Sequence, residues 1–103
     1  MFFGLFKNAE VDQAANTMAE RFAKRYPADL QTGDKPVRQE KLTAATSSLY
    51  SDLNDLRRRV RLGTFRRAQF ANTLKWALKD RGYKDEIVNS VVYDLLFYLA
   101  RPK

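Results

Sequence analysis

Residues 36–63 read PVRQEKLTAATSSLYSDLNDLRRRVRLG, and this stretch decides the fold class. Leu42, Thr46, Leu49, Leu53, Leu56 and Val60 recur at intervals of four, three, four, three and four. That is the seam of a helix lying alongside another helix, not the alternation of a strand. Asp34 or Lys35 stands at the start, with Pro36 tolerated in the first turn because its missing N–H has no partner there anyway. Thr43 to Ser48 lower helix propensity, and this is where the long helix could kink or split in two.

Downstream, Gly63 suits the left-handed residue that ends this helix, and Arg57, Arg58, Arg59 and Arg61 stand against the negative end of its dipole. Thr64 can cap the next helix, which turns Phe70, Leu74, Ala77 and Leu78 inward and closes at Arg81-Gly82 in the same way. Asp85 and Glu86 open a last helix in which Ile87, Val88, Val91, Val92, Leu95, Leu96 and Leu99 cover about half the circumference. Tyr93 and Phe97 project from its other side. A helix this apolar is expected at the centre, either surrounded by the other three or with part of its face in an oligomer interface.

Upstream, Asn8 can cap a first helix with Glu10 and Asp12 at its positive end, an inward stripe of Val11, Ala15, Met18 and Phe22, and an exposed Glu20–Lys24 pair. Pro27 holds Tyr26 extended and so closes the helix near Arg25. Residues 26–35 form the only linker candidate, with Gly33 and Asp34 as turn residues. The expected fold is therefore all-α. It is a compact bundle of about four helices, the second long, with a helical hairpin around Gly63, forming a single domain over residues 1–103. Residues 1–8 add a short apolar segment, too short to cross a bilayer and without the features of a signal peptide, which places the protein in the cytoplasm. Its phenylalanines either pack on the domain or rest in a membrane interface.

Composition narrows the chemistry. With 45% hydrophobic and 30% charged residues the chain has an ordinary globular composition. It has neither cysteine nor histidine, which removes disulfides, thiol nucleophiles, the usual general base and the commonest metal ligands. The pairs Asp52/Asp55 and Asp85/Glu86 are accounted for by an exposed face and a helix start, and the four glycines form no phosphate-binding loop. No catalytic residue, metal site or cofactor is expected.

Charge carries the functional signal. Residues 1–51 hold seven basic and six acidic side chains, residues 52–103 twelve and six, within a formal net charge of +7. Between Arg57 and Lys84, ten basic residues face Asp80 alone. Like charges so crowded repel one another unless a partner neutralises them. Arg57, Arg58, Arg59, Arg61, Arg66 and Arg67 bunch around Gly63, with Lys75 and Lys79 farther along. Arginine's forked donors match phosphate, and a helix start offers backbone N–H groups to an anion. The plainer alternative has these arginines hold the helix end, pair with Asp52, Asp55 or Asp94, or lay their stems over apolar surface.

On a helical wheel Trp76 falls away from Phe70, Leu74, Ala77 and Leu78, near Phe65, Gln69 and Asn72. Either this second face packs on the first helix or the N-terminal phenylalanines, or Gln69, Asn72 and Trp76 form an exposed contact surface. The leading expectation is a non-enzymatic protein binding DNA or RNA through backbone phosphates, with Arg57, Arg58, Arg61, Arg66 and Arg67 central. Five such contacts give a log-log salt slope of about −5 on duplex DNA. Helix, Gly-containing turn and helix also resemble a helix-turn-helix with Thr64 onward as recognition helix, a pattern any helical hairpin shares. The alternative is a small adaptor or regulator docking on an acidic protein through the same surface. A third reading puts Phe2, Phe3, Leu5 and Phe6 with basic charge on a membrane surface. A homodimer and a closed monomer would use the same apolar residues.

Overall fold

The computed structural model describes residues 8–100. They form α1 (Ala9–Arg25), a 3₁₀ turn (Ala28–Thr32), α2 (Lys35–Arg59), α3 (Thr64–Asp80) and α4 (Asp85–Ala100). Asn8 caps α1 as its position predicts: its Oδ1 accepts from the N–H of Glu10 at 2.8 Å and of Val11 at 3.3 Å. The stripe of Val11, Ala15, Met18 and Phe22 is buried along with Ala19. α1 packs against both α2 and α3, and α4 against α3.

That arrangement corrects one expectation. The most apolar helix, α4, lies at the edge of the bundle, and the inner elements are α1, between α2 and α3, and α3, between α1 and α4. Val88, Val91, Leu95 and Leu99 of α4 are buried, while Tyr93 and Phe97 are 71% and 73% exposed. Across from α2, α4 borders a groove of about 550 Å³ lined by Leu42, Thr46, Tyr50, Ile87 and Asp94 among others. The two helices meet at its end, where Tyr50 and Tyr98 pack edge to face at 4.9 Å and the Tyr98 hydroxyl donates to Asn54 at 2.9 Å.

α2 runs unbroken through Thr43–Ser48. The Thr46 hydroxyl turns back onto the Leu42 carbonyl at 2.8 Å, so its polar atom is satisfied within the helix instead of interrupting it. Leu49, Leu53 and Leu56 are buried with Ala45, whereas Leu42 and Thr46, which line the groove against α4, are only half-buried. Asp34 caps α2 without a side-chain bond, and Pro36 occupies the first turn.

Residues 26–35 carry more structure than a linker. Gln31, on the 3₁₀ turn, is buried and donates to the carbonyls of Ala28 (2.9 Å) and Gly82 (3.1 Å), while its Oε1 accepts from the N–H of Lys84 at 2.6 Å. One amide thus fastens the α1–α2 connection to the α3–α4 turn. Beside it Phe22, Tyr26 and Tyr83 form an aromatic cluster with centroids 5.4 to 6.0 Å apart. The Tyr83 hydroxyl donates to the Tyr26 carbonyl. Burying each of these rings is worth about 1.5–3 kcal/mol. The same burial, with Tyr26 nearby, pushes the Tyr83 phenol up to about 12.

Candidate nucleic-acid interface

The chain between α2 and α3 is short and extended. Val60 ends α2 at φ −134°, ψ 132°, its side chain buried. Gly63 sits at φ −75°, ψ −174°, a conformation open to any residue. Gly63 is therefore not the left-handed terminator of α2, nor is Thr64 the cap of α3. Gly63 itself holds the cap position, with no side chain to offer the first-turn amides. The positive end of a 17-residue helix is left without a side-chain cap.

Arg61, Gly63, Thr64, Phe65 and Arg66 line a shallow depression of about 240 Å³ at this helix start. The Arg66 guanidinium reaches the Arg61 carbonyl at 3.3 Å, which holds it across the depression. Arg61 is exposed and Arg67 half-buried. A guanidinium pair at an uncapped helix start can bind one phosphate by both fork geometry and helix dipole.

The other basic residues diverge. Arg57 turns toward α4, its guanidinium 5.7 Å from the Tyr98 ring centroid. Arg58 pairs with Asp55 at 2.8 Å, and Arg59 reaches Glu10 at the start of α1 at 3.6 Å. Both pairs are exposed and worth at most about 1 kcal/mol, little enough for a polyanion to displace. Asp52, named as a partner for the arginine run, pairs instead with Arg21 of α1 at 2.9 Å. Burial, opposed by Arg21, raises the pKa of its carboxyl.

Lys75 and Lys79 stand farther along α3, their ammonium groups 6.0 and 5.1 Å from the Trp76 ring centroid, and Lys79 also meets Asp85 at 3.3 Å. Trp76 is 54% exposed, so the reading in which it packs on α1 is not the one adopted. Asn72 is exposed beside it. Gln69 does not join this contact face. Its amide donates to the Asn8 carbonyl and to Asp12 Oδ1, both at 2.9 Å, and its Oε1 accepts from the Asn8 N–H at 3.1 Å. Thr73 adds a hydrogen bond to Asp12 Oδ1 at 2.7 Å. Gln69 is a latch between α3 and the start of α1, a role fixed by a neighbour 61 residues away.

Two residues outside the sequence-derived set join the surface. Phe65 is 76% exposed at the rim of the arginine depression. Tyr93 shares a second depression with Lys75, Asn89, Val92 and Leu96, because the tight α3–α4 turn makes those helices antiparallel neighbours. α2 and α3 both dock chiefly on α1 and make little contact with each other, unlike the packed pair of a helix-turn-helix. Phe2, Phe3, Leu5 and Phe6 lie outside the described residues. Among the described residues, no helix is long and apolar enough to cross a membrane. Set against protein-family models, curated protein sequences and solved structures, the chain matches none.

Proposed function

We propose that the protein is a non-enzymatic, cytoplasmic binder of nucleic acid that holds backbone phosphates at the uncapped start of α3. The observation that supports this reading is the depression in which Arg61 and Arg66 flank that helix end. Arg67 follows it on α3, Arg58 and Arg59 line a separate groove against α1, and Lys75 and Lys79 add positive charge farther along α3. Arg57, turned to Tyr98, contributes charge at longer range. Sequence-selective contact with base edges in the major groove is not part of the proposal, since α3 is not presented as in a helix-turn-helix.

The test is anisotropy of labelled oligonucleotides at several salt concentrations with wild type, Arg61→Glu/Arg66→Glu and Gly63→Asp. Loss of the one phosphate that this pair holds should lower the log-log salt slope by about one. Gly63→Asp should stabilise α3 by about 1 kcal/mol through a new cap while weakening binding. Unchanged affinity in both variants would refute the proposal. The exposed Trp76, Tyr93 and Phe97 favour a second reading, an adaptor docking on an acidic protein. Its sign would be a defined complex that survives nuclease.

A further inference from the structure

We propose that Trp76, flanked by Lys75 and Lys79, is a stacking platform for an unpaired base, so that the polyanion bound is single-stranded nucleic acid. The inference rests on the nucleic-acid reading above and narrows its substrate.

Trp76 is the only tryptophan of the chain and keeps half its surface in solvent, although the neighbouring Phe70, Leu74 and Leu78 on the same helix are buried. One of the cations at the ring is tied to the next helix. Lys79, whose side chain is only 28% exposed, is anchored by Asp85 at 3.3 Å while its ammonium stands 5.1 Å from the indole centroid. Lys75 approaches to 6.0 Å. An exposed indole with two cations over its ring joins the two features that sequence-tolerant strand binding needs, a π surface for a base and positive charge for the adjoining phosphates, with the flexible lysines swinging from the ring to the phosphates as the base stacks.

The charge of α3 favours a polyanion: Arg66, Arg67, Lys75 and Lys79 stand against Asp80 alone. Ten residues separate Arg66 from Trp76, about 15 Å along the helix axis, a span that a few nucleotides of strand would cover from the arginine depression to the indole. A duplex can offer phosphates to both ends of this track, but its bases are stacked within the helix and reach Trp76 only after an unfavourable flip. Only a single strand engages both.

The experiment titrates the full chain with oligo(dT) and with a duplex of equal length, following label anisotropy and the intrinsic emission of Trp76. Oligo(dT) should quench the emission with the same midpoint as the anisotropy change, and the duplex should bind without comparable quenching. Trp76→Ala should weaken oligo(dT) binding about tenfold or more and leave duplex affinity within about twofold, as expected if only phosphates are read there. Trp76→Phe should restore most of the loss. Arg61→Glu/Arg66→Glu should weaken both probes.

Unquenched emission at oligo(dT) saturation, or equal losses on both probes in Trp76→Ala, would overturn the stacking proposal while leaving phosphate binding intact. Failure of both probes to bind even at low salt would remove both readings. Polyglutamate that binds and quenches as strongly as oligo(dT) would overturn the proposal in favour of an acidic protein partner.

Discussion

The two glycine turns that bracket α3 look alike in sequence, each following a run with arginine and each placed where one helix ends and another begins. They are built differently. Gly82 has φ +94° and completes a six-residue closure: its N–H bonds the Lys79 carbonyl at 3.0 Å and the Tyr83 N–H bonds that of Leu78 at 3.3 Å, with both Leu78 and Tyr83 buried. Gln31 then locks the same turn from outside. Gly63 has ordinary extended geometry, and a Cβ added there would meet nothing within 4 Å. One turn is satisfied from within. The other leaves a positive helix end without a side-chain cap and bordered by arginines.

The sharpest way to break this contrast is Gln31→Ala, which removes three hydrogen bonds and strands the Gly82 carbonyl and the Lys84 N–H. It should lower unfolding free energy by about 2–3 kcal/mol in chemical denaturation without altering oligonucleotide affinity. Next comes the glycine pair. Gly82→Ala forces an L residue into left-handed geometry and should cost about 1–2 kcal/mol, whereas Gly63→Ala should stay within about 0.5 kcal/mol of wild type. Equal effects at the two sites would erase the distinction.

Tyr83→Phe should cost about 1 kcal/mol at neutral pH for the lost bond to Tyr26. It carries a pH signature. The folded-state phenol is raised from 10.0 to about 12, so the neutral ring's contribution is complete below pH 10 and disappears as pH rises through about 12. Wild type should lose stability over that interval, and Tyr83→Phe should flatten much of the decline.

Local patterns were legible in the sequence. The leucine spacing of α2, the Asn8 cap and the inward faces of α1 and α3 depend on residues within a few positions of one another. The places that required the structure depend on distant neighbours. Hydrophobicity shows that α4 is buried on one side but not that α1 separates α2 from α3. Gly63 and Gly82 differ because Tyr83 is anchored in the core while Thr64 begins a helix directly, and composition carries no trace of that. The helical wheel leaves Gln69 either packed on the first helix or on an exposed contact surface, and its bonds to Asn8 and Asp12 place it on the first helix. The arginine run marked the region of the candidate site, but not the divergence of Arg57 toward Tyr98 or of Arg59 toward Glu10.

The position of α1 between α2 and α3 also sets the order in which the chain can mature during synthesis. Its apolar stripe leaves the ribosome before α2, α3 and α4, yet one flank awaits Leu49 to Leu56 and the other Phe70 to Leu78, and the Asn8–Gln69 latch closes across 61 residues. Phe22 and Met18 therefore stay without a finished core until α3 has been made. Long-range closure of this kind slows folding relative to a bundle assembled from adjacent hairpins, and a nascent chain stalled within α3 would present that stripe to chaperones.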